Sequence, residues 1–236
     1  MLYYRNKVLK TVGLLLLGLT IFMGLNTWKI VFAAEKDKLD VKGKKTILID
    51  PGHGGIDGGG VSRSKILEKD INLAISIKLR EELKKNGYNV MMTRETDMGL
   101  YSDRGRIRDK KIEDLKNRCR LKDESSCHMF ISIHQNMFPQ TQYYGSQVWY
   151  AKSEGSKMLG HIIQENLKVD LNNGNKRREK PGLEEFKILR CSEMPSVIVE
   201  CGFLSNPEEE QKLKSEEYQR KIAQSIAKSV AQFYEE

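Results

Sequence analysis

Thr46-Ile47-Leu48-Ile49-Asp50-Pro51-Gly52-His53-Gly54-Gly55-Ile56-Asp57-Gly58-Gly59-Gly60 decides the reading of the chain. It begins as a β-branched and apolar run, the pattern of a buried strand. Asp50-Pro51-Gly52 then breaks that strand. His53 follows among six glycines, which allow another molecule to come close to the backbone. An imidazole just past the carboxyl end of a strand stands where open α/β sheets build their sites.

Working outward, Glu68 to Asn86 predicts a helix, with Ile71, Leu73, Ala74, Ile75, Ile77, Leu79 and Leu83 as a broad apolar face and Gly87 closing it. Tyr88 to Thr93 predicts a second strand. Strand, helix, strand implies a parallel sheet. Met98 to Ser126 is polar with helical period, weakest at its start. Met129 to Ile133 is a third strand, ending at His134. Gly145 to Tyr150 is a fourth, and Gly155 to Leu171 a second amphipathic helix. Asn172 to Leu183 reads as a loop, Phe186 to Leu189 as a short strand, and Ser196 to Val199 as a strand ending at Glu200. Pro207 to Tyr234 closes the chain with one or two helices. The expected fold class is α/β, a twisted and mostly parallel sheet flanked by helices, in one catalytic domain over residues 46–236.

One pattern recurs. Ile47-Leu48-Ile49 leads to His53, Phe130-Ile131-Ser132-Ile133 to His134, and Val197-Ile198-Val199 to Glu200. In a parallel sheet those three ends share one edge, so two imidazoles and a carboxylate converge. A catalytic Zn²⁺ takes three protein ligands of this kind and keeps a position open for water. It lowers the pKa of that water towards about 7 and polarises a carbonyl. A further carboxylate must accept the proton. Glu68 is the best candidate for the second acid, because it opens the helix after the glycine loop. Spacing leaves open which of Glu68 and Glu200 binds metal and which is the base. His128 and His161 are expected to be structural, His161 lying on a helix without a partner at metal spacing.

Composition sets the class. The 236 residues are 31% charged and 39% apolar, a globular balance. Net charge is +8. Residues 1–34 contribute Arg5, Lys7, Lys10 and Lys29 and no acid, leaving about +4 for the rest. That suits an anionic polymer such as cell wall. No basic stripe with interleaved aromatics is present, so no nucleic-acid partner is expected. Lys176-Arg177-Arg178 reads as a solvated loop. Cys119, Cys127, Cys191 and Cys201 form no CxxC pair, which argues against a cysteine zinc finger and favours free buried thiols.

Thr11 to Trp28 is apolar and uncharged, after three cations and before Val31-Phe32-Ala33-Ala34. Residues 1–34 are thus expected to be a cleaved signal peptide or a retained membrane anchor, with a charged linker over 35–45. Either way the body lies outside the cytoplasmic membrane, secreted or membrane-anchored.

Beyond these readings, the chain resembles the zinc-dependent N-acetylmuramoyl-L-alanine amidases of the amidase-3 family. The resemblance runs from about Thr46 to Tyr234. It is carried by Ile49 to Asp57, Glu68-Lys69-Asp70, Thr93-Arg94, Ser132-Ile133-His134-Gln135-Asn136, and Pro195 through Glu200 to Asn206. It implies one Zn²⁺ per chain held by His53, Glu68 and His134, with Glu200 as catalytic acid/base. It implies peptidoglycan as substrate, cut between the muramic lactyl group and L-alanine. The short form is similar to the germination-specific spore-cortex members, acting in the forespore–mother cell intermembrane space; an accessory activating protein is a hypothesis only. Met98 to Asp114 reads as an insertion, which matches the family's Leu-x-x-Arg to Leu115–Arg118. Competing readings are a metal-dependent peptidoglycan deacetylase and a non-catalytic wall-binding protein of the same fold.

Overall fold

Strand β1, Thr46–Pro51, is an inner strand of the sheet, and its Ile47, Leu48 and Ile49 are wholly buried. A strand covered on both faces must be apolar without alternation, as this one is. The computed structural model describes residues 44–171, 174–182, 184–191 and 193–235. The expected signal or anchor, and the linker up to residue 43, lie outside the described residues. Among the described residues no helix is long and apolar enough to cross a membrane.

After β1 come α1 (Glu68–Lys85), β2 (Asn89–Met92), α2 (Ile107–Glu124), β3 (Met129–Asn136), β4 (Gln147–Tyr150), α3 (Glu154–Leu171), β5 (Lys180–Pro181), β6 (Ser196–Phe203), α4 (Pro207–Lys214) and α5 (Glu216–Glu235). The six strands lie in the order β2-β1-β3-β6-β4-β5. Every pairing is parallel except β4 against β6. This is the expected mostly parallel α/β sheet.

Side chains alternate across each strand, so residues two apart share a face. Ile47, Ile49, Met129, Ile131, Ile133, Val197 and Val199 form one core with α1, α3 and α5. Leu48, Asp50, Phe130, Ser132, His134, Ile198 and Glu200 have the opposite parity, on the face that α2 covers through Arg118 and Lys122. Gly87 (φ 87°) ends α1, with Tyr88 N–H returning to Leu83 O at 3.1 Å. Asn206 caps α4 by accepting from the N–H groups of Glu208 and Glu209, and Pro207 fills the first helical position.

Several expectations need correction. Helix α2 starts at Ile107, not near Met98; residues 98–106 are irregular, with bends at Leu100, Tyr101, Asp103 and Gly105. Phe186 to Leu189 is no strand: Lys187–Arg190 is a 3-10 turn that buries Ile188 and Leu189. A short apolar run fits either conformation, and long-range packing chose. Cys191, just after this turn, is bonded to Cys119 on α2 with a Cα–Cα distance of 5.6 Å. So only Cys127 and Cys201 are the free buried thiols expected. Strands β3 and β6 also do not stop at His134 and Glu200. They run on to Asn136 and Phe203, with a register shift between His134 and Asn136. Such an irregularity re-aims side chains next to a site.

Candidate metal centre

His53 lies two residues past β1, in a turn closed by Gly54 N–H to Asp57 O (2.9 Å) and Asp57 N–H to Gly54 O (3.1 Å). That turn brings the Asp57 carboxylate back to the ring, where His53 Nδ1 donates to Asp57 Oδ2 at 2.8 Å. His53 itself has φ 62°, an uncommon conformation for a non-glycine residue. The pairing fixes the tautomer and presents Nε2 outward. Nε2 lies 3.2 Å from Glu68 Oε2.

Glu68 is the first residue of α1, and its backbone N–H bonds Gly60 O at 2.9 Å, which folds the glycine loop against the helix start. Its carboxylate is buried. Oε1 accepts from Gln135 N–H (3.1 Å) and Asn72 Nδ2 (3.2 Å), and Oε2 from Gly60 N–H (2.8 Å). His134 Nδ1 completes the group, 3.0 Å from Glu68 Oε1. One donor atom from each of His53, Glu68 and His134 lies within 4.8 Å of the others.

The glycines are cut to this group. A Cβ on Gly52 would sit 2.3 Å from the His134 ring, and one on Gly59 would sit 2.5 Å from Glu68 Oε2. Close approach to the three donors is therefore built into the backbone. Two borderline-soft nitrogens and one carboxylate oxygen, with one imidazole oriented by an acid behind it, are the donors of an open divalent-metal site.

Electrostatics holds the group together. Burial pulls the His53 pKa down, but its hydrogen bonds to Asp57 and Glu68 outweigh that and raise it to about 9. Burial would raise Glu68, but His134 and His53 hold it well below the usual carboxylate range.

Glu200 stands beside this group. In the β3–β6 ladder it is the register partner of His134, so the two side chains leave the same face of adjacent strands. Neighbouring strands are about 4.8 Å apart. Glu200 Oε2 is buried and has no hydrogen-bond partner among the described residues. Burial pushes its pKa up to about 7, against the lowering pull of His134. A buried orphan oxygen costs about 1–3 kcal/mol.

Three residues that support this edge were not assigned a role from sequence. Arg118 on α2 is buried; it donates to Asp50 Oδ1, Pro51 O (2.9 Å), His53 O (2.7 Å) and Asp114 Oδ2 (2.6 Å). Arg94 donates to Pro51 O (3.0 Å), Gly52 O (3.0 Å) and Lys69 O (2.9 Å). Asp57 orients His53. Leu115–Arg118 and Thr93-Arg94 are visible as motifs, but the carbonyls of Pro51, Gly52, His53 and Lys69 that they hold carry no sequence signal.

His128 is structural, its Nδ1 accepting Thr46 N–H at 3.1 Å. His161 departs from expectation: it has Glu165 one turn on and Glu179 at 3.1 Å, as an exposed pairing with Lys168 also on Glu165.

Sheet, edge and donor set define a metal-dependent hydrolase. The sequence pattern of the N-acetylmuramoyl-L-alanine amidase family matches residues 47–232, and the chain belongs to that family. It is 36% identical over 195 residues to the germination-specific N-acetylmuramoyl-L-alanine amidase of Bacillus subtilis, covering 81% of each chain. It is similar in structure to the CwlD amidase of Clostridioides difficile, solved in complex with the GerS lipoprotein. The TM-score is 0.79 and the identity 44%, over 81% of this chain and 99% of that one. The catalytic domain of CwlV from Bacillus (Paenibacillus) polymyxa aligns with TM-score 0.70 and 28% identity, over 81% of this chain and 98% of that one. The chain is thus a peptidoglycan amidase, and the deacetylase and non-catalytic readings fall away.

Proposed function

We propose that this enzyme uses one Zn²⁺, held by His53 Nε2, Glu68 and His134 Nδ1, to cleave the amide between the muramic lactyl group and L-alanine in spore-cortex peptidoglycan. The observation that carries this reading is the convergence of those three donors beside the unpartnered Glu200 carboxylate. When bound, the metal supplies Lewis acidity to the amide carbonyl and lowers the pKa of water.

The chain's own residues do the rest. Asp57 keeps the proton on His53 Nδ1, so that Nε2 is a ligand. Glu68 brings negative charge to the centre, and Gln135, Asn72 and Gly60 hold its oxygens. Glu200 is the base that takes a proton from the attacking water and passes it to the leaving nitrogen of L-alanine. A pKa near the working pH suits both halves of that task. Arg118 and Arg94 position the backbone from Pro51 to His53. The products are a glycan without its stem and a free peptide.

The germination-specific name of the Bacillus relative supports the cortex as substrate. On this reading residues 1–34 export or anchor the enzyme, residues 35–45 link it to the catalytic domain, and the site of action is the forespore–mother cell intermembrane space. The lipoprotein bound to the Clostridioides relative supports an accessory activating partner here. The test is Glu200→Gln. The variant should keep one zinc per chain but lose at least about a hundredfold in stem-peptide release from purified sacculi. Near-normal release would overturn the assignment of Glu200. Unchanged release by zinc-free protein would overturn that of the metal.

A further inference from the structure

Lys176-Arg177-Arg178 lies in the expected loop, with Lys176 and Arg178 exposed, but Arg177 within it is half-buried and held. Asn175 is buried and donates through Nδ2 to Ser146 O at 2.8 Å, while its Oδ1 accepts Arg177 N–H at 3.0 Å. Gln147 Nε2 donates to Arg178 O at 2.6 Å. The segment is therefore clamped to the start of β4, and Gln147 is the register partner of Glu200. Arg177 Nε donates to Tyr144 O at 3.0 Å. Its guanidinium lies 4.6 Å from the Phe203 ring and 5.9 Å from the Tyr143 ring. A planar cation stacked on aromatics and tied at Nε has lost most of its freedom, and its remaining N–H groups form a prepared fork.

Among the described residues no carboxylate forms an ion pair with Arg177. The acid that acts on it through space, Glu209, uses its oxygens on Gly145 N–H (2.9 Å) and Phe203 N–H (2.8 Å). Arg177 lines a pocket of about 290 Å³ together with Gln142, Tyr143, Tyr144, Asn175 and Lys176. Its described lining residues include two cations and no acid.

The pocket also lies on the catalytic edge. Phe138 is four residues past His134, at most about 14 Å of chain. Its ring is 5.5 Å from Tyr143 and 5.4 Å from Phe203, the two rings under Arg177. Met137 between them borders Gly60, whose N–H is bonded to Glu68. A path of exposed apolar groups, Met137, Phe138, Tyr143, thus runs from the metal centre to a cationic pocket. An extended peptide advances about 3.3–3.6 Å per residue, so a stem peptide leaving the metal centre can follow that path.

We propose that this pocket is a subsite for a free carboxylate of the stem peptide, with Arg177 as its specificity-determining donor. The inference deepens the reading above and rests on it. It makes the enzyme selective for stems that carry acid, rather than carboxamide, on the leaving side of the cut bond. Lys176 adds charge, and Tyr143 and Phe203 hold the plane of the guanidinium.

The test uses synthetic muramoyl-tripeptides that differ only in free carboxylates against carboxamides beyond L-alanine. The wild type should cleave the acid form at least about tenfold better in kcat/KM, mostly through KM, as expected for a charge-assisted bidentate pair. Arg177→Gln should bring the acid-to-amide ratio close to one. Arg177→Lys should restore part of it, charge without the fork. Circular dichroism checks that each variant folds. Direct calorimetry of the free acid and amide tripeptides on the wild type gives a second readout that needs no turnover. A wild type that cleaves both forms equally well overturns the subsite and leaves the amidase reading intact. So does an Arg177→Gln variant that weakens both forms alike. A protein that cleaves neither form but binds the acid tripeptide through Arg177 overturns the amidase reading and keeps the subsite.

Discussion

Replacing Arg118 by methionine removes a cation that is 5% exposed while leaving its stem volume in place. Two acids then lose their partner: Asp50, 3% exposed, and Asp114, 14% exposed. Not every contact is orphaned. Asp50 keeps the hydroxyls of Thr93 (2.6 Å) and Ser132 (2.7 Å), and Pro51 O keeps Arg94 Nε. His53 O loses the guanidinium that held it at 2.7 Å. Breaking a buried pair by removing one partner costs about 3–5 kcal/mol, and this case belongs within that range. The sign with pH follows from Asp50. Burial would raise its pKa, but Arg118 and the two hydroxyls hold it below the model-compound value of 3.8. In the wild type that stabilisation is complete above the unfolded value and is lost as pH falls through the depressed folded one. In Arg118→Met burial prevails, Asp50 is protonated more readily in the folded state, and acid relieves the penalty. The gap between the two proteins should therefore be widest at neutral pH and shrink towards about pH 4. Urea unfolding of both proteins in chelator, at neutral and at acid pH, measures it. A loss under about 1 kcal/mol, or a gap that does not change with pH, would refute the claim that this guanidinium neutralises the sheet edge. Arg118→Lys, with charge but no fork, should fall between the two.

The supporting residues give further expectations. Asp57→Asn should weaken metal affinity about 10–100-fold, because His53 loses the acid that fixes its tautomer; competition against a chromogenic chelator reads this out. Gly52→Ala puts a Cβ 2.3 Å from the His134 ring, so the protein should fold with metal affinity at least about tenfold down, and undiminished zinc content would contradict the fit. Metal-free protein should lose stability as pH rises from 6.5 to about 9, because the raised His53 pKa favours folding fully below the unfolded value and not above the folded one. Over the same window metal affinity should rise, since the ion must displace that proton; calorimetric Tm with chelator and with excess metal separates the two trends.

The sequence by itself determined the parallel α/β class, because a strand buried on both faces has to be a continuous apolar run and Thr46 to Ile49 is one. It also singled out His53, His134 and Glu200, because polar residues after buried strands are costly unless they have work to do, and Glu68, because it opens the helix that returns from the glycine loop. What tertiary structure decided is everything that depends on backbone partners and on register. Arg118 and Arg94 answer to carbonyls of Pro51, Gly52 and His53, and any residue has a carbonyl. The pairing of His134 with Glu200 depends on how two strands 66 residues apart align. The Cys119–Cys191 bond, the 3-10 turn beside it and the clamped Arg177 depend on segments meeting across the fold. Local pattern reports what each segment would bury; it does not report what each segment finds there.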